Sequence, residues 1–252
     1  MGNKRKNSNY VTEKTEKAKA DKARAEKKKR ILKTVIPCIC VVLVIALIFG
    51  IYFLGKALGW FYPSFEDDNP QIENKQNDSF KATHHAAIEV EGYGTIHIEL
   101  YGEEAPETVA NFVKLANDGF YDGLTFHRII DDFMAQGGDP EADGTGNADK
   151  TIKGEFKENG VKNDIKHVRG TISMARLGDD KNGASCQFFI VDKTSTSNTK
   201  SLDGKYAAFG MVTSGMNVID KICYDADPTD DNGTIEKDDQ PVIKSITIHE
   251  SH

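Results

Sequence analysis

Arg128 stands in the run Phe126-His127-Arg128-Ile129-Ile130, and eight positions on Gln136 sits in Phe133-Met134-Ala135-Gln136-Gly137-Gly138-Asp139. An arginine presents a planar fork of donors, a glutamine offers both donor and acceptor, and Phe with Met make an apolar socket that adapts to shape. Further segments of the same kind follow: Gly144-Thr145-Gly146, Ser173-Met174-Ala175-Arg176, Gln187-Phe188-Phe189-Ile190, and Leu202-Asp203-Gly204-Lys205-Tyr206 leading to Phe209-Gly210. These groups bind and polarise; they do not attack. GxSxG, HExxH and P-loop patterns are absent from the sequence, and so is a cysteine with an evident activating partner. The chemistry they suit is therefore non-covalent. Taken alone, the same residues have plainer readings. Phe133, Met134 and Phe189 would be core, Arg128 a surface ion pair, and Gly144-Thr145-Gly146 a turn. His127 is read as a hydrogen-bonded structural histidine.

Short alternating segments must carry these residues. Ala86 to Glu91 and Thr95 to Leu100 flank Gly92-Tyr93-Gly94 as a hairpin, and further strands are expected at 125–129, 169–174, 187–191, 207–212 and 243–249. Two helices are predicted. In Ala105 to Asn117, Pro106 suits the first turn, Val109, Phe112, Val113 and Ala116 share a face, and Gly119 closes the end; the second spans Met216 to Tyr224. Many strands with two helices point to a mainly β fold, a closed barrel with helical caps.

The net charge of -7 conceals two unlike regions. Residues 1–30 hold 12 Lys and Arg against 4 Asp and Glu, leaving 20 against 35 beyond them. The acidic remainder argues against nucleic-acid binding, which needs a basic footprint. From Thr34 to Gly55 run 22 residues without a charge, about the length of a membrane-crossing helix. Lys27, Lys28, Lys29, Arg30 and Lys33 precede it and only Lys56 stands close behind, which places the N-terminus in the cytoplasm and the bulk outside. A cleaved signal peptide ending near Gly55 and Ala57 is the competing reading. The expected division is a basic tail (1–30), a signal-anchor helix (31–58), a flexible stalk (59–80) and a folded domain (81–252). The tail is expected to touch anionic lipid.

Cys186 and Cys223 are read as buried free thiols. Asp225, Asp227, Asp230, Asp231 and Glu236 fail as a calcium loop, because Asp230 occupies the sixth position where glycine is needed and Pro228 interrupts. They are taken as a solvated acidic linker. His84 and His85 are read as domain-entry residues, and no metal site is expected.

The segments FHRII, FMAQGGD, SMA, QFF and LDG, in this order and spacing, resemble the cyclophilin family over about residues 84–250. That resemblance implies an eight-stranded antiparallel barrel with two helices and isomerisation of X-Pro peptide bonds without a cofactor. Together with the membrane span, the resemblance implies a bacterial member acting on proline-containing polypeptides as they fold outside the cytoplasm, and a monomer is expected. A tethered proline-peptide binding module or chaperone with little turnover is the alternative.

By resemblance, Arg128 is the catalytic arginine, hydrogen-bonding the proline nitrogen as the amide twists, and Gln136 acts beside it. Phe133, Met134, Phe189 and Leu202 match the proline pocket, with Gly144 lining a neighbouring one. Ala175 and Arg176 match the segment that bonds the substrate backbone. Gln187 is placed near the arginine, which it orients. Two positions depart from the family pattern: Ser201, where many members have tryptophan, and Tyr206, where many have histidine. Ser201 puts cyclosporin sensitivity in question, whereas Tyr206 keeps an aromatic wall. Leu177 and the Thr194 to Lys200 stretch are expected to reshape the groove.

Overall fold

Strict alternation builds the first ladder. In β1 (His84–Val90) Ala86, Ile88 and Val90 point inward, and in β2 (Gly94–Leu100) Ile96, Ile98 and Leu100 do the same, so Ile88 faces Ile96 across the pair. The computed structural model describes residues 79–176, 180–193 and 197–250, together with Lys22, Arg24, Glu26, Lys27 and Lys29, each in helical conformation. The apolar run 34–55, nearly all of the expected stalk, Leu177 and residues 194–196 lie outside the described residues. Among those described, no helix is long and apolar enough to cross a membrane.

Six more strands complete one antiparallel sheet: β3 (Thr125–Ile130), β4 (Met134–Asp139), β5 (Thr171–Arg176), β6 (Ala184–Val191), β7 (Ala208–Ser214) and β8 (Ile243–Glu250). Their order is β3-β4-β6-β5-β7-β2-β1-β8. The chain is therefore mainly β, as its alternation predicts, but the expectation of a closed barrel needs correcting. No continuous ladder joins β3 to β8. The seam holds one bridge, Thr125 to Val242, with Ile243 N–H donating to Leu124 O at 2.7 Å and Phe126 N–H to Pro241 O at 2.9 Å. Farther along β3, residues 233–235 take the place of a ninth partner: Ile129 N–H donates to Gly233 O and Ile235 N–H to His127 O. The loop before β8 thus covers an edge that would otherwise be exposed.

Among the described residues of 79–250 three α-helices, one more than expected, accompany the sheet: α1 (Pro106–Asn117), α2 (Ser197–Leu202) and α3 (Met216–Asp225). α2 is a short turn-and-a-half of polar residues ending in the apolar Leu202, below the length at which periodicity can be read. α1 buries Thr108, Val109, Phe112 and Ala116, while Val113 is only half-buried. Phe112 packs among Tyr121, Phe188 and Phe209 at ring separations of 5.2–5.7 Å. Cys186 and Cys223 are both buried and free, as the sequence suggested.

The segment around the groove is built differently from the rest. β6 is buried along its whole length because both faces are covered. Cys186, Phe188 and Ile190 enter the main core, whereas Phe189 and Val191 join Met134, Ala175 and Leu202 in a separate apolar cluster on the outer face. That outer cluster is the floor of the candidate site.

Candidate active site

A groove of about 550 Å³ opens on the outer face of β3, β4, β5 and β6. Met134, at 1% exposure, and Phe189, at 5%, form its base, with Phe133, Leu202 and Tyr206 around them. Tyr206 meets Phe189 edge-on at 5.9 Å, and the Arg176 guanidinium carbon lies 4.9 Å from the Tyr206 ring centroid. A buried histidine supports this wall from behind. His167 stacks on Phe189 at 5.9 Å and 18°, its Nδ1 3.1 Å from Asp203 Oδ1 and its Nε2 3.0 Å from Ser173 Oγ.

Arg128 reaches the groove from β3, paired in register with Gln136 of β4. Its Nε donates to Asn232 O at 2.7 Å, and its Nη1 donates to Gln136 Oε1 at 3.2 Å while lying 3.7 Å from Met134 Sδ. Among the described residues Nη2 has no hydrogen-bond partner, so its donors remain for a ligand. Partial burial lowers the Arg128 pKa and the Asp230 carboxylate opposes that; the guanidinium stays charged.

The amides behind Arg128 are oriented by their own chemistry. Because Gln136 must turn its oxygen to the cation, its Nε2 faces Gln187 Oε1 at 2.9 Å. Gln187 Nε2 then donates to the carbonyls of Gly144 at 3.1 Å and Gly146 at 2.8 Å. Gln187, expected to orient the arginine and counted among the substrate-binding residues, is buried and does not line the groove, and it reaches Arg128 through Gln136.

His127 also differs from its expectation. It lines the groove at 3% exposure, and neither ring nitrogen has a hydrogen-bond partner in the protein. Burial pushes its pKa down, with Asp139 pulling the other way. It is thus a neutral groove residue rather than a bonded structural one.

Of the residues singled out in the sequence, Arg128, Phe133, Met134, Gln136, Gly144, Ala175, Arg176, Phe189, Leu202 and Tyr206 all line this one groove. Ser201 does not; it is exposed in α2, donating through Oγ to Asn198 O. Sequence reasoning missed Asp143, Thr145, Asn232 and Thr234. Asn232 belongs to the stretch read as a solvated acidic linker, which is instead an ordered turn. Asp230 Oδ1 accepts from the N–H groups of Asn232 and Thr234, each at 3.0 Å, and its Oδ2 accepts from Thr234 Oγ1. The signal was there: Asp-x-Asn-Gly-Thr is the residue pattern of an Asx turn.

A family model described as "Cyclophilin type peptidyl-prolyl cis-trans isomerase/CLD" matches residues 85–251. The chain belongs to the cyclophilin-type peptidyl-prolyl isomerases. It is 50% identical over 121 residues to peptidyl-prolyl cis-trans isomerase B of Bacillus subtilis, covering 48% of this chain and 78% of that protein. Against peptidyl-prolyl cis-trans isomerase-like 1 of Rhizopus delemar the identity is 47% over 130 residues, 51% of this chain and 74% of the relative. A solved Cryptosporidium parvum cyclophilin, crystallised in the presence of the dipeptide Ala-Pro, superposes with a TM-score of 0.56 at 28% identity, covering 66% of this chain and 99% of that one.

Proposed function

We propose that the chain is a membrane-tethered peptidyl-prolyl cis-trans isomerase that speeds X-Pro isomerisation in polypeptides folding outside the cytoplasm. The observation that carries the catalytic part is Arg128: fixed by Asn232 O and Gln136 Oε1, it keeps Nη2 open beside an apolar floor of Met134, Phe133 and Phe189. The X-Pro bond resists rotation because amide resonance sets a barrier near ~20 kcal/mol. In the planar ground state the nitrogen lone pair is delocalised and accepts no hydrogen bond. As the bond twists, the lone pair localises and can accept from Nη2, so the interaction forms mainly at the top of the barrier. The apolar floor takes the proline ring, which lets the two flanking parts of the peptide rotate against each other.

A charged hydrogen bond contributes roughly 1.5 to 3 kcal/mol, less than the ~7 kcal/mol that a 10⁵-fold acceleration requires. The rest comes from holding the twisted peptide, through its ring in the pocket and its backbone at Gln136 and the 175–176 segment. The uncharged run 34–55 and its basic flank support the tether.

NMR exchange on an Ala-Pro peptide, paired with its binding affinity, tests the assignment. Arg128→Ala is expected to lower turnover roughly tenfold to a hundredfold while changing affinity by less than about threefold. Equal losses in both would reject the transition-state role. Peptide binding by the unaltered protein without faster exchange would favour the binding-module reading instead.

A further inference from the structure

Four of the seven histidines in the chain, His84, His85, His97 and His249, fall on β1, β2 and β8. Three of them share the outer face. His85 and His249 are direct partners across β1 and β8, and His97 stands opposite Ala87, one outward position along from His85. All three are exposed, and each lies next to an inward-facing residue such as Ala86, Ile96 or Ile98. They surround one shallow pocket of about 470 Å³ whose far wall is Thr213 and Ser214. None of them lines the proline groove, which lies at the other end of the strand order.

Direct partners in an antiparallel pair sit ~4.5–5.5 Å apart at Cα, and diagonal neighbours ~7–8 Å. His85 is in direct register with His249 and diagonal to His97, whereas His97 and His249 stand two strands apart, so His85 is the ligand common to either pair. The ring nitrogens do not converge in the structure; among the described residues the three-group cluster that does is Asp131, Asp132 and Asp192. Those acids are engaged already, Asp132 with Lys193 and Asp192 with Arg169. Exposed histidine side chains exchange among staggered rotamers, and metal coordination would select the converging ones. Hard cations would find too few oxygens here, whereas neutral imidazole suits borderline ions.

We propose that His85, His97 and His249 form a surface site for a divalent transition-metal ion of the Zn²⁺, Ni²⁺ or Cu²⁺ class. His85 and His249 make the primary pair and His97 the third ligand. Three protein ligands leave at least one coordination position for water, as in open rather than sealed zinc sites. The sequence separates these residues by 12 and 152 positions, so only the β2-β1-β8 pairing brings them together.

Calorimetric titration of the full-length chain with Zn²⁺ alone, in detergent and without a polyhistidine tag, tests the site. One equivalent is expected to bind, with affinity falling about tenfold or more in His85→Gln and in His249→Gln, and less in His97→Gln. X-Pro turnover unchanged in the same variants serves as the fold control. An Asp131→Asn, Asp132→Asn double variant is expected to bind as the parent does. Absence of zinc binding by the parent, an unaltered titration in the His85→Gln, His249→Gln double variant, or loss of binding in the aspartate variant overturns the proposal.

Discussion

Burial and charge oppose each other at Asp192. Its carboxylate, at 2% exposure, accepts from Asp132 N–H at 3.0 Å but lies 3.4 Å from Arg169 Nη1. Arg169 is committed elsewhere, holding both oxygens of Asp220 at 2.6 and 2.8 Å. Desolvation, with the nearby Asp220 charge, therefore outweighs Arg169 and pushes the Asp192 pKa up to about 6. An unfolded aspartate titrates near ~3.9. Between those values the native state holds a proton that the unfolded chain has released, so this contribution to stability is full below about pH 4 and is lost as pH rises through about 6. Denaturant unfolding at pH 5 and pH 7.5 is expected to show Asp192→Asn gaining on the parent at the higher pH by about 1.4 kcal/mol. Parallel profiles would show that Asp192 is ionised throughout. The consequence is local to the groove, because Asp192 N–H also donates to Phe133 O. At this scale Arg128 and Phe189 were legible through the family resemblance of the segments they stand in, because their types alone read as a surface ion pair and core. His127 was not, since only the packed structure shows that nothing bonds its ring.

Single elements show why some of the rest escaped reading. β4 was not anticipated as a strand because Gly137-Gly138 breaks its alternation. At Gly138, with φ of +81°, an added Cβ would sit 3.0 Å from Cys186 O and from Tyr121, so close packing against β6 and the aromatic core demands glycine there. α1 illustrates the opposite case, a helix read correctly whose support was invisible. Its N-cap, Ala105, offers no side-chain hydrogen bond. The cap comes instead from Glu155, buried some 47 residues on, whose Oε1 accepts from Glu107 N–H at 3.1 Å and whose Oε2 accepts from Thr108 N–H at 2.8 Å. Glu155→Ala is expected to cost about 2 kcal/mol in chemical denaturation with the groove intact. A loss within about 0.5 kcal/mol would mean that water replaces the carboxylate. Such a partner cannot be found by scanning windows, because the contact spans the chain.

At the scale of the whole molecule, alternation made the sheet legible and strand order was not. The tether proposed for residues 31–58 predicts that protease added to intact cells releases the folded domain by cutting within 59–80. Release only after lysis, from a stalk shown cleavable there, would place the domain on the cytoplasmic side. The pairing of β1 with β8 has a further bearing, on the timing of synthesis. His84, near the start of the folded domain, pairs with Glu250, and β1 is held between β2 and that last strand. A chain emerging from the ribosome offers β1 and β2 early, but their outer neighbour β8 is the last strand of the domain to be made. The outer edge of β1 therefore stays unpaired until the rest of the domain has been synthesised, and the sheet is completed only when β8 arrives.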